Sequence, residues 1–389
     1  MKFSRRADAV TPFYAMEFGK HAAALEARGV HVVKLNIGEP DFGAPPAFLR
    51  EVRRISDGRP MAYTGALGLD ALRTAIAEFT ATKFRAEIAP ERVVVTTGAS
   101  AALLLSCAAL IDPSDEVLVA DPSYPCNRRF AESFGGRVRL IETTPQTRFQ
   151  LDAAAVADGW SERTRGVMVA TPSNPTGTSL AYDELRELCS TVADRDGWRI
   201  VDEIYLGLAD DGPDGAPRSI AADDPGAIVI NSFSKYFGMT GWRLGWAVVP
   251  EEMIPVAERL AQNYYICPPT PSQMAALTCF EPETLAVAEE RRAQLRRRRE
   301  LVLDGLDRIG LNVPVRPDGA FYVYVDVTET GLTSTEFCET ALEQAHVALT
   351  PGKDFGDAGA ERFVRLSYAA SETDLALAID RLGALLNRL

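Results

Sequence analysis

Lys235 stands in the run Ser232-Phe-Ser-Lys235-Tyr-Phe-Gly-Met-Thr-Gly-Trp-Arg243, directly after an apolar segment. Lysine is seldom buried without a task. Desolvation or a nearby cation lowers its pKa and frees a neutral amine, the nucleophile that Schiff-base chemistry requires. Arg243 follows eight residues later, and a guanidinium fork suits a phosphate or a carboxylate. Asp202 ends the apolar run Arg199-Ile-Val201, with Glu203 and Tyr205 close behind. A carboxylate in that position must cap a helix, pair with a cation or shift its pKa. Gly98-Ala99-Ser100 lies between a β-rich run and an apolar helix. Glycine there lets backbone approach a ligand, and the helix N-terminus offers free N–H groups suited to phosphate, although strand–helix turns also carry glycine for steric reasons alone. Asn174-Pro175 closes a further strand, as a cis bond or as a plain turn.

Such residues need strands that deliver them to one edge. From about residue 90 to residue 250, short β-rich runs alternate with helical patterns. The strands read as Val93–Thr97, Glu116–Ala120, Arg137–Ile141, Gly166–Ala170, Arg199–Asp202, Ala227–Ile230 and Leu244–Val249. Leu185, Leu188, Cys189 and Val192 follow i, i+3, i+4, i+7 spacing and mark an amphipathic helix. This alternation predicts an α/β fold with a mostly parallel central sheet flanked by helices. In open sheets of that kind the ligand crevice lies outside the carboxyl ends of the strands. Residues 283–309 read as a long charged helix containing Arg296-Arg-Arg-Arg299. Four arginines in a row can hold phosphate, but the preferred reading is a solvated face balanced by Glu289, Glu290 and Glu300. Two strands follow, Gly319–Val325 and Phe363–Ser367, separated by a helix, and suggest a smaller α+β domain. A chain of 389 residues exceeds one compact core. The expected division is a large domain over 46–284 and a small one built from both termini, 1–45 and 285–389.

The balance of 54 acidic against 41 basic residues, a net charge of −13, argues against a nucleic-acid partner. No apolar run approaches the roughly 18 residues of a membrane span, and the positive N-terminus lacks the apolar stretch of a secretory signal, so the expected location is the cytoplasm. Six scattered cysteines and three distant histidines show no zinc-ligand spacing, and no metal is expected. The cysteines are read as small buried apolar residues.

In order along the chain, Tyr63, Gly98-Ala99-Ser100, Tyr124, Asn174-Pro-Thr-Gly177, Asp202-Glu-Ile-Tyr205, Ser232-Phe-Ser-Lys235, Arg243 and Arg365 resemble the class I/II aminotransferases among the fold-type I pyridoxal-phosphate enzymes. The resemblance runs from Asn36-Ile-Gly-Glu-Pro-Asp41 to Val364-Arg-Leu-Ser-Tyr368, nearly the whole chain. It implies that Lys235 holds pyridoxal 5'-phosphate as a Schiff base and moves protons during amino-group transfer. By the same resemblance, Asp202 faces the pyridine nitrogen and keeps it protonated, while Tyr205 and Asn174 donate to the ring 3-oxygen. Tyr124 stacks on the ring. Gly98, Ala99, Ser100, Ser232 and Arg243 hold the phosphate, and Tyr63 reaches the phosphate of a neighbouring subunit, which implies a homodimer with shared sites. Arg365, with the backbone of Gly38 and with Asn174, takes the substrate α-carboxylate. The implied activity is transamination between an L-amino acid and a 2-oxo acid in a ping-pong cycle. One departure concerns Pro125-Cys126-Asn127, which follows Tyr124 where related enzymes often carry a second aromatic residue.

Substrate choice turns on a second anchor. A distal carboxylate left unpaired in a dry pocket costs several kcal/mol, on the order of the penalty for a buried uncompensated ion. Residues 100–112 contain no basic side chain, which favours a neutral aliphatic donor such as alanine or valine, with pyruvate as acceptor. Arg128, Arg129 or a partner subunit are the alternatives that would make it an aspartate-type enzyme. The rival chemistry on the same fold is a pyridoxal-phosphate-dependent β-lyase or decarboxylase. A non-enzymatic regulator is the second rival, disfavoured by the short segment before Asn36 and the acidic charge.

Overall fold

The computed structural model describes residues 1–389 except 5, 6, 9, 213 and 214. Among the described residues, a seven-stranded sheet forms the centre. In chain order, β1 (Val33–Lys34) precedes it, and the sheet itself comprises β2 (Val93–Thr96), β3 (Glu116–Asp121), β4 (Arg137–Glu142), β5 (Thr164–Ala170), β6 (Trp198–Asp202), β7 (Ile228–Ser232) and β8 (Gly245–Val248). The strand order is β2-β8-β7-β6-β5-β3-β4, and β8 alone runs against the rest. The α/β reading with a mostly parallel sheet therefore holds.

Side chains alternate between the two faces of each strand. Val93, Val95, Val167, Val169, Val201 and Val229 enter one apolar core. Val94, Met168, Ile200, Ile228 and Ile230, their neighbours along the same strands, enter the other. With both faces covered, the strands read as continuous apolar runs, as parallel sheets do. The helix Ala99–Leu110 covers one face, and the helix Tyr182–Ala193 covers the other with Leu185, Leu188, Cys189 and Val192 buried. Four cysteines, 107, 189, 279 and 338, are buried, whereas Cys126 and Cys267 are partly exposed.

A second, antiparallel sheet holds β9 (Tyr322–Asp326), β11 (Thr350–Pro351) and β12 (Phe363–Ser367) in the order β11-β12-β9. Arg365 faces Thr350 and Tyr324 in its register. The N-terminal segment joins this part of the chain: β1 pairs in parallel with β10 (Val347–Ala348), and Ser367 N–H donates to Leu35 O at 2.9 Å.

The arginine run departs from expectation. In the helix Pro282–Arg308, Arg298 and Arg299 are only 5% and 6% exposed, and Arg297 alone among the four is exposed. Arg298 pairs with Asp41 at 2.7 Å, Arg299 with Asp210 at 2.8 Å, and Arg296 with Asp210 at 2.9 Å and Asp211 at 3.3 Å. Glu289 and Glu300 serve other partners as well, Lys83 and Arg316. Charge counting along the helix could not show this, because the acidic partners come from residues 41 and 210–211. Arg299→Ala is expected to cost about 1–3 kcal/mol, since Asp210 stays partly hydrated, while Arg297→Ala changes stability by less than about 0.5 kcal/mol. Thermal denaturation of the two variants checks the contrast.

Candidate functional site

The carboxyl ends of β2, β5, β6 and β7 open on one cavity of about 510 Å³. That size suits a small-molecule site. Because β8 runs in reverse, its start lies at the same edge, with Gly245 between Thr96 and Ser232. Arg243, two residues earlier, thereby reaches the beginning of the helix Ala99–Leu110.

An anion cradle forms there. Gly98 has φ +80°, a conformation that strains any L side chain, and a Cβ on it would also displace Arg243 Nη2, 2.7 Å away. The helix starts at Ala99 without a side-chain cap, and Ala99 and Ser100 line the cavity. Arg243 adopts φ +50° and donates Nη1–H to Thr240 O at 2.7 Å. Ser234 also lines the wall. Ser232 does not: its hydroxyl donates to Ser234 Oγ at 2.9 Å and lies 3.1 Å from Leu244 O, behind the wall. Period-two alternation would put Ser232 and Ser234 on one face and so could not tell them apart, and the chain leaves the strand after Ser232.

Lys235 enters from the loop after β7. Its Nζ donates to Gly38 O at 2.6 Å and pairs with no carboxylate at salt-bridge distance among the described residues. Burial pulls its pKa down to about 8; Arg365 and Arg243 act in the same direction, and Glu39 and Asp202 oppose it. Asp202 ends β6 and is buried. Its Oδ1 accepts Ile204 N–H at 3.1 Å, and burial pushes its carboxyl up to about 6. It is thus neither a helix cap nor a member of an ion pair. Glu203 points away into the core, where its Oε1 accepts Ile220 N–H at 2.9 Å and burial raises it to about 7.

The opposite wall carries Arg365, 2% exposed. Its Nη1 donates to Asn174 Oδ1 at 2.9 Å and its Nη2 to Asn36 O at 2.6 Å. Its Nε has no partner, and no carboxylate neutralises it among the described residues. Its guanidinium lies 4.6 Å from the Tyr322 ring centroid and 5.0 Å from that of Phe355. Asn174-Pro175 is cis. Tyr205 and Tyr124 line the cavity between these poles, and burial holds both phenols well above their ordinary pKa.

The structure thus gathers Gly38, Ala99, Ser100, Tyr124, Asn174, Asp202, Tyr205, Lys235, Arg243 and Arg365 around one space, with Gly98 against Arg243. Tyr63 stands apart, 77% exposed on the surface of this chain. Sequence reasoning missed Tyr322, Ser234 and an apolar rim of Phe13, Ala15, Met16 and Ile37. The rim comes from the N-terminal segment, where the helix Tyr14–Glu26 is tied down by Asp354, whose carboxylate accepts Tyr14 and Ala15 N–H at 2.7 and 2.8 Å. No local pattern could have announced a contact across 339 residues. Arg128 and Arg129, the alternatives for a distal cation, are absent from the wall. Arg128 donates to Asp354 O, and Arg129 pairs with Glu132 at 2.7 Å.

Comparison with known proteins agrees with this geometry. The family model for aminotransferase class I and II matches residues 30–382. The chain is 40% identical to a valine–pyruvate aminotransferase of Mycobacterium tuberculosis over 377 residues, 96% of each chain. It is 36% identical to an aspartate/prephenate aminotransferase of Thermus thermophilus over 99% of each. A crystal structure of an aminotransferase from Mycobacterium tuberculosis superposes with a TM-score of 0.95 at 39% identity, covering all of both chains.

Proposed function

The chain belongs to the class I and II aminotransferases, and on that premise we propose that it transfers the amino group of a neutral aliphatic L-amino acid, alanine or valine, to a 2-oxo acid such as pyruvate. The observation that carries the reading is Arg365: a buried guanidinium with no carboxylate partner among the described residues, at the far side of a cavity from an uncapped helix start and Arg243. A buried charge calls for a counter-ion, and an α-carboxylate supplies one through the fork geometry.

Pyridoxal 5'-phosphate fits the residues present. The Gly98–Ser100 turn, Arg243 and Ser234 suit its phosphate, with Ser232 supporting Ser234 from behind. Asp202 suits its ring nitrogen, Tyr205 and the free amide nitrogen of Asn174 its 3-oxygen, Tyr124 its ring face, and Lys235 its carbonyl carbon. When bound, this cofactor supplies an electron sink for the carbanion left at the amino acid's α-carbon. The chain's own part is positioning and proton movement. Arg365 and Asn174 hold the α-carboxylate beside Gly38. Lys235 Nζ, pulled down to about 8, keeps a usable neutral fraction near neutral pH and takes the α-proton as general base. Phe13, Ala15, Met16 and Ile37 exclude water and receive the side chain.

That rim also underlies the donor preference. Among the described residues, no cation stands on the wall besides Lys235, Arg243 and Arg365. Desolvating a distal carboxylate against it costs several kcal/mol, so kcat/KM for aspartate should fall about a hundredfold or more below that for valine. A donor panel of valine, alanine and aspartate with pyruvate checks this, and aspartate as the best donor would overturn it. Tyr63, exposed on one chain, is proposed to complete the site of a second copy in a cytoplasmic homodimer. The pairing of β1 with β10 supports the proposed division into 46–284 and 1–45 with 285–389.

A further inference from the structure

Two phenols join the halves of the cavity wall. Tyr205, beyond β6, and Tyr322, at the head of β9, place their hydroxyl oxygens 2.8 Å apart, and both side chains are buried. Their rings meet edge to face with centroids 5.7 Å apart. Tyr322 touches two further groups. Its ring face lies 4.6 Å from the Arg365 guanidinium. Its hydroxyl packs so closely on Gly38 that any Cβ at that position would collide with it. Gly38 in turn supplies the carbonyl that holds Lys235 Nζ.

Each phenol carries one proton. If Tyr205 spends its own on Tyr322, it has none for a ligand. The Tyr322 hydroxyl has no other hydrogen-bond partner among the described residues, so donation to Tyr205 is its outlet. We propose that Tyr322 is a positioning residue that sets two binding groups at once: its hydroxyl donates to Tyr205 and turns the Tyr205 proton into the cavity, while its ring seats Arg365. The inference rests on the pyridoxal-phosphate reading, in which that proton meets the ring 3-oxygen. Lys235, Asp202, Glu39, Tyr124, Arg243 and Arg365 are the ionisable groups that face the pair.

The test compares wild type, Tyr322→Phe, Tyr322→Leu and Tyr205→Phe, each loaded with pyridoxal phosphate and titrated with pH without substrate. The long-wavelength absorbance of the lysine-bound cofactor is followed. A weaker donor leaves more negative charge on the 3-oxygen, and that charge holds the neighbouring proton to higher pH. Tyr322→Phe is therefore expected to raise the midpoint by roughly 0.2–0.5 pH unit, because Tyr205 keeps its bond to the 3-oxygen and loses only the donor that polarises it. Tyr205→Phe should raise it further. KM for the amino donor stays within about twofold in Tyr322→Phe, which keeps the ring, and rises about fivefold in Tyr322→Leu, which loses the cation–π platform. A shifted midpoint in Tyr205→Phe with none in Tyr322→Phe overturns the role of Tyr322 and leaves the cofactor reading standing. Wild type that develops no such absorbance overturns both. Tyr322→Phe removes a single oxygen, so it decides the matter even if Tyr322→Leu fails to fold.

Discussion

Lys235→Ala is expected to abolish turnover, with a fall of at least about ten-thousandfold, because the variant loses both the covalent anchor and the general base. The fold should survive, since the lysine's one polar contact is to Gly38 O. Lys235→Arg is the informative companion. It keeps a positive charge and a long stem, but a guanidinium stays protonated at any accessible pH and offers no nucleophile. Both variants should bind pyridoxal phosphate reversibly, without the lysine-bound absorbance. Adding a small primary amine should restore part of the activity in Lys235→Ala, where space is freed, and none in Lys235→Arg. Full activity in Lys235→Ala would overturn the functional reading entirely.

Asp202→Asn is expected to separate activity from stability. Burial holds this carboxyl at about 6, and an unfolded aspartate titrates near 3.9. Between about pH 4 and pH 6 the native chain therefore keeps a proton that the unfolded chain has lost, so stability falls as pH rises through that window. Above it the cost is complete, about 2–3 kcal/mol for a shift of roughly two units. Asparagine cannot ionise, and its side-chain oxygen can still accept the Ile204 N–H. The cofactor-free variant should thus exceed wild type by about 1–3 kcal/mol at neutral pH and show no advantage near pH 4. Glu203, raised to about 7 chiefly by burial and further by the Asp202 charge, is relieved of that charge in the variant, which adds to the gain at neutral pH. Turnover should nonetheless fall about a hundredfold or more, as it does when a preorganised charge is removed from a site. Denaturant melts at two pH values and a steady-state assay check the pair. A variant that is less stable at neutral pH would mean that Asp202 is there for the fold.

Much of the catalytic edge was legible because it is local. Gly98, Asn174, Asp202 and Lys235 each lie at or just past the end of a strand, and strand ends in a parallel sheet share one side. Valine and isoleucine runs announced those strands, since both faces are buried and alternation is masked. Ser234 was missed for a local reason too. Beyond β7 the chain turns, so that strand periodicity no longer says which serine faces the ligand.

The rest depended on contacts across the chain. Arg298 and Arg299 look like solvent residues beside Glu300, and they are buried because Asp41 and Asp210 fold against them. Tyr322 and Tyr324 stand two apart on one strand. Only the packing of that strand against Arg365 and Tyr205 makes Tyr322 part of the cavity. Phe13 and Met16 line the cavity because Asp354, from the far end of the chain, ties down the start of the helix Tyr14–Glu26. The sequence by itself determined the chemistry: an aspartate, a lysine and an arginine, Asp202, Lys235 and Arg243, at the ends of consecutive strands, where backbone geometry aligns them, with Arg365 brought to face them from the middle of β12. The tertiary structure alone decided what surrounds that chemistry, its apolar rim and its phenol pair, because those groups come from segments that meet only when the two termini fold back onto the sheet.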